Sequence, residues 1–208
     1  MNAFVRAALV LLAVGAIAAA LVAYSIVRQG LSARSEPTRA EALLARTMRR
    51  AATPSADRNR TNPVQLTADV LNDALEHFAD HCAACHANDG GGDTPMGRGL
   101  YPKAPDLRDA TTQKLTDGEL FSIIENGVRL TGMPAWGDGT EEGQRASWAL
   151  VHFVRHLPSI TPDEIDRMQQ LNPKTPAELE EQEEQRRFLE GGDTPPASPE
   201  HAHHGRGR

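Results

Sequence analysis

Two cysteines three positions apart, with a histidine directly after the second, constrain this chain more than any other feature: Cys82-Ala83-Ala84-Cys85-His86. They are the only cysteines in 208 residues. A Cys-x-x-Cys pair by itself has several readings. A thioredoxin-like redox pair would need a strand before it and a parallel sheet around it, and no strand pattern of useful length occurs anywhere. A zinc site would need more ligands close by. With His86 adjacent, the pattern is the c-type haem attachment signature. Two thiols add across the two vinyl groups of the porphyrin, one helical turn lets both reach, and the next imidazole falls under the iron. A buried porphyrin also suits the composition. Aromatic residues make up only 4% of the chain, a thin supply of large core side chains.

Covalent haem of this type implies export, and the N-terminus offers a means. Ala7 to Val27 is 21 residues without a charge. A helix of that length spans roughly 30 Å, the thickness of a bilayer's hydrocarbon core. A cleaved signal peptide is the rival reading, but its apolar region usually runs about 7–15 residues, and Ala23-Tyr24-Ser25 is a poor cleavage site. The expectation is a single-pass anchor in a bacterial inner membrane, with the remainder in the periplasm. Arg28, Arg34 and Arg39 on the far side make the positive-inside pattern untidy.

The chain divides into a membrane anchor (1–30), a basic linker with a short helix (31–66), a haem domain (67–160), two short helices (161–190) and a disordered His-rich tail (191–208). Charge follows these borders. Residues 28–66 carry eight basic and three acidic side chains, whereas residues 67–160 carry seven and fourteen. The basic stretch is short and lacks interleaved aromatics, so nucleic-acid binding is not expected. Within the linker, Ala40–Ala51 has Leu43, Leu44, Thr47 and Met48 on one side and reads as part of a solvated arm. Thr67 looks like an N-cap for a helix through Val70, Leu71, Ala74, Leu75 and Phe78 into Cys82. Glycines and prolines across 88–115 predict a long structured loop. Thr116-Asp117-Gly118-Glu119 is a capping box opening a helix that Gly127 stops. Glu141–Leu157 places Trp148, Val151, Val154 and Leu157 on one face. Thr161-Pro162-Asp163-Glu164 and Thr175-Pro176-Ala177-Glu178 repeat one helix-start signal. The fold class is all-α, with three main helices.

A second axial ligand for the iron is sought among the methionines. Met133, in Thr131-Gly132-Met133-Pro134-Ala135-Trp136, lies in a Gly/Pro loop between two helices, 47 residues after His86. A thioether there favours reduced iron and raises the potential. Met96, ten residues after His86, is the weaker alternative, and the bland reading of any single methionine is a filler of a core gap. The pairs His77/His81 and His152/His156 have metal-binding spacing but read as surface and edge residues. His201, His203 and His204 form a tract with the composition of a weak metal binder.

These pieces together resemble a class I cytochrome c domain from about Thr67 to Leu157. The matching segments are the haem motif, Ala104-Pro105-Asp106-Leu107, Leu115 to Leu120, Ile123 to Gly127, Gly132 to Trp136 and the closing helix, in the family's order. The resemblance implies helices wrapped around one covalent haem c, with His86 and Met133 as the iron's axial ligands. It also implies that the Pro105 carbonyl accepts a hydrogen bond from the His86 ring, with Pro102 as fallback. Trp136 is a candidate for a haem propionate, as are Tyr101 and Arg98. Phe78 and Trp148 are expected to meet where the first and last helices cross.

Three functions remain in view. The first is a membrane-tethered one-electron carrier, with redox proteins of basic docking surface as partners and no small-molecule substrate. The second is an electron-input haem subunit of a larger membrane oxidoreductase. The third is a metal-binding or sensing haem protein that uses the His-rich tail. Two strong axial ligands leave no vacant iron position for catalysis, which argues against an enzyme in its own right.

Overall fold

A computed structural model describes residues 2–30 and 32–191, and every element in it is helical. The first, α1 (Ala3–Gln29), is followed by α2 (Arg39–Ala52) and the one-turn α3 (Ser55–Arg58). The haem motif comes next. α4 (Ala68–His77) starts at Thr67, whose side chain accepts a hydrogen bond from the Val70 amide. It does not run unbroken to Cys82 as the apolar spacing suggests. A single π-helical turn, Phe78–Cys82, intervenes before α5 (Ala83–His86). Such a turn inserts one extra residue and re-aims everything after it. Beyond it lie α6 (Pro95–Gly99), α7 (Ala110–Gln113), α8 (Asp117–Asn126) and α9 (Glu141–His156). A 3-10 turn at Leu157–Ser159 leads to α10 (Pro162–Leu171) and α11 (Pro176–Leu189).

The core forms where α4, α8 and α9 meet. α4 contributes Ala74 and Leu75, and the π turn adds Phe78 and Ala79. α8 contributes Leu120, Phe121 and Ile124, and α9 contributes Trp148, Leu150, Val151, Phe153 and Val154, all buried. The first and last helices of the domain do cross, but the ring partners differ from the expected pair. Phe78 packs on Phe153 at 4.9 Å, while Trp148 stacks on Phe121 at 4.2 Å. Phe78 itself keeps the α4 register, its amide still donating to the Ala74 carbonyl, and the π turn re-aims the residues that follow it. Arg155 ties the end of α9 to the start of α8, donating to Asp117 and to the Gln113 and Leu115 carbonyls.

The linker is less free than its composition suggests. Trp148 and Phe121 carry the Arg60 guanidinium over their rings, at 5.1 and 4.7 Å. Asn62 donates to the Trp148 carbonyl, and His152 Nε2 lies 2.8 Å from the Val64 carbonyl. The Thr116 hydroxyl donates to the Arg58 carbonyl at 2.6 Å. Gly118 is what permits this approach, since a Cβ there would lie 2.0 Å from the Asp57 carbonyl oxygen. The stretch from α3 to Val64 is therefore part of the domain's surface.

α1 holds a 23-residue apolar stretch, Ala3–Ser25, long enough to cross a membrane and with none of its apolar window buried in the protein. α10 packs on the domain through Met168, which is fully buried. α11 forms with the same capping box but buries no residue. The tract holding His201, His203 and His204 lies outside the described residues.

Candidate haem site

The site is built on the one-turn α5. Cys82 closes the π turn and caps α5, and Cys85 and His86 end it. Both cysteines are free thiols, half-buried. Burial pushes the Cys82 thiol up to about 12, helped by its neighbour Cys85, and burial raises Cys85 as well. Both stay protonated at neutral pH, so neither is set up as a reactive thiolate. Directly after His86, Ala87 adopts φ 60° and ψ 159°. That region of backbone space is ordinarily glycine's, and strain of this kind gathers at functional sites.

The 88–107 loop wraps this turn. The Gly92 amide donates to the His86 carbonyl at 2.8 Å, and the Leu107 amide to the Gly90 carbonyl at 2.8 Å. Gly92 has φ +75°, and a Cβ there would strike the Ala104 carbonyl oxygen at 2.5 Å. Thr94 clamps the loop to the motif. Its hydroxyl donates to the Ala84 carbonyl at 2.7 Å and accepts from the Gly97 amide. Thr94-Pro95 carries the same cap-then-proline signal as Thr161-Pro162 and Thr175-Pro176, and that signal is what could have marked Thr94 in the sequence.

This wrapping brings Pro105 to the histidine. The Pro105 carbonyl lies beside the His86 ring and favours its protonated form, but burial outweighs it and lowers the ring's pKa. His86 is therefore neutral at physiological pH, the form that ligates iron. Its Nδ1 is buried without a partner of full hydrogen-bonding geometry. An orphaned ring nitrogen near a carbonyl, with two free thiols on the same turn, fits a haem whose iron takes the other nitrogen. Were a metal to take the other ring nitrogen, the Pro105 carbonyl would be the acceptor at hand for Nδ1–H.

Met133 sits on the loop between α8 and α9. The Val128 amide donates to the Met133 carbonyl, and the Met133 amide to the Thr131 hydroxyl, both at 3.1 Å. Gly127 lets the loop leave α8. Its φ is +64°, and a Cβ would lie 2.5 Å from the Pro134 carbonyl carbon. The loop is also brought against the 95–103 segment, because a Cβ on Gly132 would meet the Leu100 side chain at 2.5 Å. Met133 is half-buried, whereas Met96 is 57% exposed and Met168 is a core residue.

The remaining candidates have the following surroundings. Trp136 is half-buried, and its ring stacks on His81 at 5.3 Å. Arg98 pairs with Asp93. Tyr101 lies beside Glu41 of α2, and partial burial followed by that carboxylate raises its pKa. Pro102 is exposed. His152 is an anchor for Val64, and His156 Nε2 contacts Glu164 at 2.8 Å. His77 and His81 meet edge to face at 5.0 Å, with Asp80 on His81. Among the described residues, no group of three or more His, Cys, Asp or Glu side chains is disposed to hold a metal ion.

Residues 70–154 match the family model described as "Cytochrome C oxidase, cbb3-type, subunit III". The match spans most of α4, the haem motif, the wrapping loops, α8 and nearly all of α9.

Proposed function

From the premise that this chain belongs to the cytochrome c family through that domain, we propose that it is a membrane-tethered carrier of single electrons with one covalently held haem. A cytochrome c domain serves haem-based electron transfer, and its all-helical arrangement fits the class I fold. Bound here, the haem supplies reversible one-electron chemistry at iron. Cys82 and Cys85 would hold it through thioether bonds, and His86 and Met133 would ligate the iron. The carrying observation is the α5 turn, where two free thiols adjoin an imidazole whose buried Nδ1 awaits an acceptor.

Each residue has a distinct task. The neutral His86 ring presents a lone pair, and Pro105 orients the ring. Gly92 and Thr94 keep the 88–107 loop closed on the turn. Thr131 and Val128 hold the Met133 loop. Two fixed protein ligands would keep the rearrangement on electron transfer small. The acidic haem domain suits partners with basic docking surfaces, whose association weakens with salt. α1 supplies the tether, with the domain on the periplasmic side of a bacterial inner membrane.

The test is a pair of visible spectra, oxidised and reduced, of the haem-loaded wild type and a Met133→Ala variant. The expected wild type is low-spin, with the weak red band of methionine-ligated oxidised iron. The variant loses that band and drops in potential. A high-spin wild type that binds carbon monoxide readily would overturn the Met133 assignment.

The family model's description favours a second reading, in which the chain feeds electrons into a larger membrane oxidoreductase. Detergent extraction separates the two. Co-purification with a stable oxidase complex supports the subunit, and migration as a single small species supports the carrier.

A further inference from the structure

α2 carries an apolar stripe that the protein leaves uncovered. At about 100° per residue, Ala40, Leu43, Leu44, Thr47, Met48 and Ala51 share one face of the helix. Leu43, Leu44 and Met48 are 68%, 61% and 61% exposed. The opposite face is the docked one. Ala42 and Arg49 lie there, seven residues apart, and are the helix's half-buried positions. Burial lowers the Arg49 pKa and the Glu119 carboxylate partly restores it, which places Arg49 against the start of α8. At the other end, Glu36 pairs with Lys103 and Glu41 lies beside Tyr101. The stripe thus points away from the haem domain along the whole helix.

Its surroundings identify what covers it. Arg39, Arg46 and Arg50 line one flank of the stripe, all exposed. A helix with an apolar face beside a row of arginines suits an anionic lipid surface. The bilayer is also within reach. Nine residues separate Gln29 from Arg39, and nine residues fully extended reach about 30 Å at most. The helix is well built for life at an interface, since Thr38 and Glu41 form a complete capping box.

We propose that α2 lies in the plane of the membrane surface, on anionic phospholipid. Leu43, Leu44 and Met48 enter the boundary between headgroups and acyl chains, and Arg39, Arg46 and Arg50 meet the headgroup phosphates. The proposal rests on reading α1 as a membrane span, and it changes what the linker does. Instead of swinging on a free arm, the haem domain is seated on the bilayer through a helix whose other face grips the 100–103 segment and α8. The orientation of the Met133 loop toward the membrane is then fixed by α2.

The experiment uses the full haem-loaded chain in vesicles of phosphatidylcholine with phosphatidylglycerol. Nitroxide labels are placed through Leu44→Cys and Met48→Cys on the stripe and Ala45→Cys off it, the native cysteines being consumed by haem. Power saturation then compares collision with oxygen and with a water-soluble nickel chelate. The expected result is an oxygen-favoured signal at 44 and 48 and a chelate-favoured signal at 45. Combined Arg39→Glu, Arg46→Glu and Arg50→Glu should return position 44 to the aqueous pattern. Aqueous signals at all three sites, in protein that still floats with the vesicles after alkaline carbonate washing, would overturn the proposal and leave the tether standing. Failure to float would overturn both. Dipolar broadening at position 44 that disappears on dilution with unlabelled protein would assign the stripe to a second copy instead. Equal depth in phosphatidylcholine alone would overturn the role given to the arginines.

Discussion

α2 and α9 are amphipathic helices of 14 and 16 residues, and they treat their apolar faces in opposite ways. α9 turns Trp148, Val151 and Val154 inward, and all are buried. α2 turns Leu43, Leu44 and Met48 outward and buries nothing. The difference does not lie in the pattern, which is at least as clear in α2. It lies in what is opposite. α4, the π turn and α8 offer Leu75, Phe78 and Phe121 to α9, whereas the haem domain offers α2 a carboxylate and a tyrosine edge. A helical stripe therefore states that something covers it and leaves open what does. α10 and α11 repeat the lesson. Both start with a Thr-Pro-x-Glu capping box, yet only α10 buries a residue, Met168.

The comparison breaks if the inward and outward helices respond alike to truncation. Phe153→Ala should cost about 3–5 kcal/mol of domain stability, because it removes a fully buried ring from the contact with Phe78. Met168→Ala should cost about 2–5 kcal/mol by the same mechanism. Leu44→Ala and Leu179→Ala should stay within about 0.5 kcal/mol, as surface changes do. Urea unfolding in detergent, followed by far-UV circular dichroism, reads all four. A large cost at Leu44 would mean that α2 is covered by the protein itself. Capping is a finer probe. Thr116→Ala should cost about 1–2 kcal/mol, since the hydroxyl caps α8 and also holds Arg58. Thr38→Ala removes an equivalent cap from α2, and the domain's midpoint should hardly move.

The features that local chemistry writes were legible. The haem motif, the capping boxes at Thr116, Thr161 and Thr175, and the faces of α4, α8 and α9 all follow from residues within a turn or two of each other. Features set by distant partners were not. Nothing near Phe78 announces the π turn, and helical spacing alone does not say which α9 ring Phe78 meets: it is Phe153 and not Trp148. Arg60, Asn62 and Val64 look like linker, and only the folded chain reveals Trp148, Phe121 and His152 waiting for them. At the haem site, the cysteines and His86 are spelled out in sequence. The neutral state of His86, its orphaned Nδ1 and the Thr94 clamp depend on how the 88–107 loop closes.

The smallest expected effect separates α10 from α11 by pH. Glu164 and Glu178 play the same capping part, and the pKa of each is lowered. For Glu164, burial pushes the value up, but the Thr161 amide and hydroxyl and the His156 ring outweigh it. For Glu178, the Thr175 amide and hydroxyl lower it most, against slight burial, and the neighbouring Lys174 charge adds to them; no residue of another helix takes part. A carboxylate whose pKa is depressed on folding contributes stability that is present above its ordinary value. That stability is lost as pH falls through the folded value. Both contributions should therefore be intact at pH 7 and fade below about pH 4.5. Their consequences differ because Glu164 contacts His156 of α9 at 2.8 Å, so its protonation loosens α10 and Met168 from the core. Glu164→Gln should lower the urea midpoint at pH 6 and flatten its fall toward pH 4. Glu178→Gln should leave both unchanged, because α11 frays without disturbing anything packed beneath it. Equal flattening in the two variants would place α11 inside the cooperative unit, and the division between docked and undocked helices would then fall elsewhere in the chain.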